Sequence, residues 1–312
     1  KEGMPIIKLQ TLMKKDTRQV RQFVTEQLKH YGYRIHTGRW YVFAQGTAPV
    51  CLVAHMDTVH AKPPTRVFYD HVNKVMWSPD GLGADDRAGV WAILKILDLG
   101  YRPSVLFTDL EESGGMGAQE AGRQVAPDGI KYMIEIDRRG AHDAVFYSED
   151  GQEFKDYIQT FGFKPAVGSF SDISFLMSDW GIAGVNVSAG YYNEHSTSEH
   201  LFVNELLRSV DKVIQMIEAS YDAPVFKHTE ARIPLFGYED GYIQCYLCSE
   251  WVSPEDQYVW EDEFQEEWVL CPECARIING GASRDTMAVK LRRVNYLDKP
   301  DTSWYSNNGW IR

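Results

Sequence analysis

Val105-Leu106-Phe107-Thr108-Asp109-Leu110-Glu111-Glu112-Ser113-Gly114-Gly115 is the stretch on which the rest of the chain turns. An apolar run leads into two adjacent carboxylates and then a glycine pair. It reads as a buried strand whose C-terminal end delivers the doublet Glu111-Glu112 to a loop. Neighbouring carboxylates at such an edge repel each other and lose solvation, and metal ions are the usual compensation. Taken alone, the doublet reads more readily as an ordinary solvated pair before a turn, and it is the neighbouring stretches that reverse this.

Val50-Cys51-Leu52-Val53-Ala54 is a second apolar strand and ends in His55-Met56-Asp57. Ile130 to Ile136 is a third, ending at Asp137, and Ile182 to Val187 a fourth. Helical spacing covers Leu9 to His30, Asp85 to Leu99, a segment from about Met116, Glu153 to Thr160, Ser171 to Met177 and Val203 to Ser220. Tyr33 to Ala44 alternates like a strand, Ala144 to Tyr147 is a further strand candidate, and residues 66 to 77 read as a hairpin. Strands alternating with helices predict an α/β fold with a mostly parallel central sheet and helices on both faces. In such sheets functional groups gather at the carboxyl ends of the strands. His55, Glu111, Glu112 and Asp137 all fall there.

Composition narrows the function classes. The chain has 312 residues, 24% of them charged, with a formal net charge of -12. That balance argues against a nucleic-acid backbone as partner. The apolar runs are too short to span a bilayer, so no membrane partner is expected. No basic segment followed by an apolar core opens the chain, and four of the five cysteines form two Cys-x-x-Cys pairs. A reducing, cytoplasmic setting is the expectation.

Three further stretches complete a constellation. His55 and Asp57 lie two apart in extended chain and face one side, so Asp57 can hold the imidazole tautomer needed for metal ligation. Gly81-Leu82-Gly83-Ala84-Asp85-Asp86-Arg87-Ala88-Gly89 turns sharply into a helix. Asp85 is either its N-cap or a carboxylate bridging two ions. His195 sits in the polar loop Gly190-Tyr191-Tyr192-Asn193-Glu194-His195. Two histidines, three carboxylates and a spare glutamate are what a catalytic zinc site with open positions requires. One glutamate of the doublet ligates, and the other takes a proton from water and hands it to the leaving amine.

With these residues in view, the chain resembles the co-catalytic zinc exopeptidases of clan MH, the peptidase T-like, glutamate carboxypeptidase-like and bacterial aminopeptidase-like enzymes. The resemblance covers about residues 7 to 220. It implies the zinc exopeptidase fold and two catalytic zinc ions, with cobalt or manganese as alternatives. By that resemblance His55 and Asp137 hold one ion, Glu112 and His195 the other, and Asp85 bridges. Glu111 is the general base toward a metal-bridging water, Asp57 orients His55, and the Asp85-Asp86 peptide is cis. Asp172, Tyr191 and Asn193 are candidate substrate contacts. Only 57 residues separate Asp137 from His195, which leaves no room for the lid domain that carboxypeptidase-like and peptidase T-like members insert there.

Cys245-x-x-Cys248 and Cys271-x-x-Cys274 are separated by 22 residues and resemble a zinc ribbon, a four-cysteine site for one structural zinc. Eight acidic residues and no basic ones lie between the pairs, which disfavours nucleic acid and favours protein contact, homo-oligomerisation among the arrangements. The expected organisation is therefore a catalytic domain over 4–221, a linker over 222–241, the ribbon over 242–280 and a tail over 281–312. The expected activity is hydrolysis of short peptides by an aminopeptidase or other exopeptidase. The alternatives are deacylation of N-acyl amino acids on the same site and a non-catalytic binding protein.

Overall fold

The computed structural model describes residues 6–147, 151–168 and 170–228, and in the C-terminal part 243–245, 251–253, 256–261, 267–272, 275 and 290–293. The chain divides into two compact units, residues 1–231 and 232–312.

In the first unit the helices are α1 (Ile6–Met13), α2 (Thr17–His30), α3 (Ala84–Asp98), α4 (Met116–Gln124), α5 (Gln152–Gln159), α6 (Asp172–Trp180) and α7 (Val203–Ala219). The strands are β1 (Ile35–Thr37), β2 (Tyr41–Ala44), β3 (Ala48–His55), β4 (Phe68–Asp70), β5 (Val75–Trp77), β6 (Pro103–Thr108), β7 (Tyr132–Arg138), β8 (Asp143–Val145), β9 (Lys164–Ala166), β10 (Gly184–Ser188), β11 (Tyr191–Tyr192) and β12 (His200–Phe202). Eight of them form one sheet in the order β1-β2-β6-β3-β7-β10-β8-β9. The pairings β6-β3, β3-β7, β7-β10 and β8-β9 are parallel, and β1-β2, β2-β6 and β10-β8 are antiparallel. This is the mixed, largely parallel sheet expected. A smaller sheet, β11-β12-β5-β4, lies apart from it.

Strand alternation explains the two layers. On β3, Val50, Leu52 and Ala54 join the core that contains α3 and α7, while Cys51 and Val53 join the core under α4 and α6. α3 is apolar on nearly every side, from Val90 through Leu97, because it packs against β3, β7, α1 and α7 at once. Register aligns the strand ends: His55 pairs with Thr108, and Val53 with Glu135. The exits of β3, β6 and β7 therefore lie side by side.

Three elements differ from the sequence expectation. The helix expected over Leu9 to His30 is two helices. Asp16 starts the second through a capping box, its carboxylate accepting the Gln19 N–H at 2.8 Å while its own N–H donates to Gln19 Oε1 at 3.0 Å. Tyr33 to Ala44 is a β1-β2 pair broken at Gly38, whose N–H donates to the Tyr41 carbonyl at 3.2 Å. Two residues of the expected linker, Ala223 and Phe226, belong to the core. Phe226 packs on Tyr132, Phe154 and Tyr157, and its N–H donates to the Lys131 carbonyl at 2.9 Å.

In the second unit β13 (Ile243–Gln244) pairs with β14 (Trp251–Val252), and β15 (Tyr258–Glu261) pairs with both β16 (Glu267–Leu270) and β17 (Lys290–Arg293), all antiparallel. Cys245 and Cys271 are buried in one small cluster with Val252, Leu270 and Ala275. Cys248 and Cys274 lie outside the described residues, as does most of the expected tail. Among the described residues no helix is long and apolar enough to cross a membrane.

Candidate metal centre

β3 ends by delivering His55, which is fully buried. Its Nε2 lies 3.0 Å from Asp85 Oδ1 and 3.4 Å from Asp137 Oδ1. On the other side of Asp85, His195 Nε2 lies 3.2 Å from Oδ2 and 3.1 Å from Glu112 Oε2. Each imidazole nitrogen thus faces two carboxylate oxygens, although one N–H can serve only one of them well. Ligand atoms about 2.0–2.1 Å from a tetrahedral cation sit about 3.3 Å from one another. The observed spacings match that figure, and Asp85 turns a different oxygen to each histidine. Two overlapping ligand groups result: His55, Asp85 and Asp137, and Asp85, Glu112 and His195.

The local backbone explains why these atoms meet. Gly83 has φ +68 and opens the turn before α3, and the Asp85-Asp86 peptide is cis. Gly89 lets the first turn of α3 lie against the end of β7, because a Cβ there would collide with the Ile136 carbonyl. At the end of β6, Leu110 takes φ +60 and swings the doublet out of the strand. Asp57 then fixes two groups at once. Its Oδ1 lies 3.3 Å from His55 Nδ1, and its two oxygens accept the Glu111 and Glu112 N–H groups, each at 3.2 Å. His195 is held in the left-handed region at φ +61, a conformation costing about 1–3 kcal/mol where the surroundings enforce it.

The charge balance asks for cations. Burial pushes Glu111 up to about 10, with Asp137, Asp172 and Glu135 adding to the rise against His55. Burial and then Asp85 bring Glu112 to about 7. Burial also raises Asp137 and Glu135. Only Asp85 and Asp57 are held low despite burial, through the histidines they face. Glu112 Oε1 is buried and without a hydrogen-bond partner. Bound divalent cations would supply the missing positive charge.

The three expected substrate contacts each have partners within the chain, and Tyr191 also lines the cavity over the doublet. Asp172 is fully buried and accepts the Thr108 hydroxyl. Tyr191 is buried, and its hydroxyl donates to the Asp137 carbonyl at 2.7 Å and Oδ1 at 3.0 Å, which orients that carboxylate. Asn193 is exposed, at φ +55, and its carbonyl accepts Ser196 Oγ at 2.7 Å. A cavity of about 490 Å³ opens over the doublet, lined by Asp85, Glu111, Glu112, Asp137 and His195, and beyond them by Arg138, Arg139, Tyr147, Phe170 and Glu194.

Supporting residues are less visible in the sequence. Ser171 Oγ donates to Glu135 Oε2 at 2.6 Å, and Asn186 Oδ1 accepts the Asp137 N–H at 3.0 Å. A glutamate inside the apolar run of β7 is a signal for the first of these. Arg87 donates to the Met56 and Lys15 carbonyls and ties the exit of β3 to the α1–α2 turn. Glu199, only 1% exposed, accepts the Gly83 N–H at 2.6 Å and the Asp85 N–H at 2.9 Å, and faces His60 Nε2 at 3.3 Å. It ties the loop of His195 to the turn of Asp85. Glu199→Gln puts an amide NH2 where an acceptor is needed, and is expected to destabilise the protein by roughly 1–3 kcal/mol. Denaturant unfolding measures this, and an unchanged midpoint would remove Glu199 from the scaffold.

No protein-family model matches the chain, and no curated protein matches it. Solved structures do. Aminopeptidase PepT from Bacillus cereus ATCC 10987 superposes with a TM-score of 0.58 at 14% identity, over 69% of this chain and 98% of that one. A tripeptidase from Staphylococcus aureus subsp. aureus Mu50 gives 0.56 at 15% identity, over 69% and 97%. The Pyrococcus horikoshii TET1 peptidase, which assembles into a tetrahedron or a large octahedral shell, gives 0.51 at 14% identity, over 68% and 99%. At these identities the likeness is one of fold, and it is the fold that the sequence resemblance implied.

Proposed function

We propose that the chain is a dinuclear metal-dependent hydrolase of short peptides, an exopeptidase most similar in design to the aminopeptidases. The observation that carries this reading is the pair of ligand groups sharing Asp85, with Glu111 beside them. The peptidases that share the fold support the choice of substrate.

His55 and Asp137 would hold one zinc, Glu112 and His195 the other, with Asp85 between. Cations bound there would polarise the scissile carbonyl and lower the pKa of a water between them. The chain's own residues do the rest. Glu111 lines the cavity without being needed in either shared-Asp85 group, and it accepts the proton of the attacking water and returns it to the leaving amine. Asp57 keeps Nε2 of His55 turned toward the site by facing Nδ1. Tyr191 and Asn186 hold Asp137 through its side chain and backbone. The test is metal analysis of the purified protein together with hydrolysis of aminoacyl reporters and N-acyl amino acids. Cleavage of the aminoacyl reporters supports the exopeptidase reading. Cleavage of N-acyl amino acids alone replaces it with deacylation.

The cysteine pairs hold a separate structural zinc in this reading, supported by the spacing of the pairs and the shared burial of Cys245 and Cys271. Cys271→Ser is expected to release one zinc per chain and unfold the C-terminal unit. An unchanged zinc content in that variant refutes the ribbon.

A further inference from the structure

The small sheet β11-β12-β5-β4 has one covered face and one open face. In register across it, Tyr191, Leu201, Met76 and Tyr69 form a row. Residues directly opposite one another in an antiparallel ladder project to the same side. This row packs on the main core, with Met76 and Leu201 fully buried. The adjacent row, Tyr192, His200, Trp77 and Phe68, therefore faces the other way. An antiparallel sheet with one face on the core ordinarily turns polar residues to water on the other. Here that position carries an aromatic or imidazole ring in all four strands.

The rings are ordered against one another. Phe68 stacks on Trp77 with centroids 4.7 Å apart, and Tyr192 on His200 at 5.7 Å. Phe202, two residues along from His200 and so on the same side, brings its ring 5.4 Å from that of His200 and 5.5 Å from that of Tyr192. Trp77 is nevertheless 42% exposed and Phe68 39%. With strands about 4.8 Å apart, the row is about 14 Å long. Contiguous apolar surface left open to water in this way marks an interaction site.

The ends of the row differ in charge. At the β4 end the Arg66 guanidinium lies over the Phe68 ring, 5.7 Å from its centroid. At the β11 end the Tyr192 hydroxyl donates to Glu205 Oε2 at 2.8 Å, and Glu205 Oε1 lies 3.7 Å from Arg208 Nη2. A partner for this face must offer rings at its middle, an acid against Arg66 and a base against Glu205. The same face turned about a two-fold axis parallel to the strands offers all three. The Phe68 end of one copy then lies over the Tyr192 end of the other, Trp77 over His200, and Arg66 against Glu205.

We propose that the open face of the sheet β11-β12-β5-β4 is an interface between two copies of this chain, centred on Trp77. A two-fold contact uses one patch on both copies and must be self-complementary, and aromatic residues with arginine are enriched at the centre of such contacts. A large ring buries about 150–250 Å² when fully covered. Four rings that are already partly covered supply less than the roughly 800 Å² per partner of a standard interface, so the dimer is of micromolar strength. The inference is independent of the reaction proposed at the metal centre.

The test is sedimentation velocity on the metal-loaded full chain from about 1 to about 200 μM, a range that brackets a micromolar dissociation constant. The wild type is expected to pass from monomer to dimer across it. Trp77→Ser is expected to raise the dissociation constant by about 30-fold or more, as loss of a central aromatic anchor does. Arg66→Glu leaves every ring in place and sets like charge against Glu205, and is expected to raise it by about ten-fold. Trp77 and Arg66 are both exposed, so neither substitution takes packing from the core. A wild type that stays monomeric throughout the range overturns the proposal. So does an oligomer whose dissociation constant is unchanged in either variant, because the contact would then lie on another surface.

Discussion

Glu111→Gln is expected to lower the rate of peptide hydrolysis by about a hundred- to ten-thousand-fold while leaving the metal content of the protein unchanged. The size follows from what the substitution removes. Glutamine keeps the length and nearly the volume of the side chain but cannot take a proton from water or give one to an amine. The backbone at this position is held by Asp57 through the N–H groups of residues 111 and 112, so the loop geometry persists. A rival assignment makes the prediction sharp. Glu111 can also be grouped with His55 and Glu112 as a third set of converging ligand atoms. Were Glu111 a ligand, the variant would lose a cation along with its activity. Metal analysis beside single-turnover rates separates the two. Full metal with lost rate identifies the base, lost metal with lost rate identifies a ligand, and retained rate removes Glu111 from the chemistry.

The sequence displays the strands and the candidate ligands more clearly than the supports. β3, β6 and β7 are legible because buried parallel strands are written as unbroken apolar runs, and each run leads to a residue of the candidate metal centre: His55, the doublet, Asp137. α3 is legible from the glycines before it and the apolar residues along it. What escapes a sequence reading depends on partners far away in the chain. The break between α1 and α2 turns on one capping carboxylate, Asp16, within a continuous helical pattern. Nothing local shows that the hairpin β4-β5 is completed by β12, with Trp77 opposite His200. Nothing around Phe226 marks it as core, since its ring is buried by residues of β7 and α5. Tyr191 reads as a substrate contact because it is a tyrosine in the loop of a candidate ligand. Its hydroxyl is committed to Asp137, which only the meeting of β7 and β11 reveals. Asp57 reads as a partner of His55, and its hold on the doublet becomes visible only once β3 and β6 lie side by side.

The sharing of Asp85 leads to the second large effect. Asp85→Asn is expected to empty both catalytic positions and abolish hydrolysis, whereas His195→Ala is expected to empty one. Asparagine retains one acceptor oxygen and presents an NH2 in place of the other, so one of the two histidines would face a donor where an anion stood. Removing one negative charge from the group proposed to hold two divalent cations would weaken both positions together. His195→Ala leaves His55, Asp85 and Asp137 intact as a three-atom set, and the imidazole it removes is half exposed, so little packing is lost with it. The two variants therefore differ in metal count rather than in the mere loss of rate. Metal analysis of each, with Cys271→Ser to account for the cation proposed for the cysteines, gives the comparison. Should Asp85→Asn keep the same number of cations as His195→Ala, Asp85 serves one ion only, and the two ligand groups are independent sites that happen to adjoin.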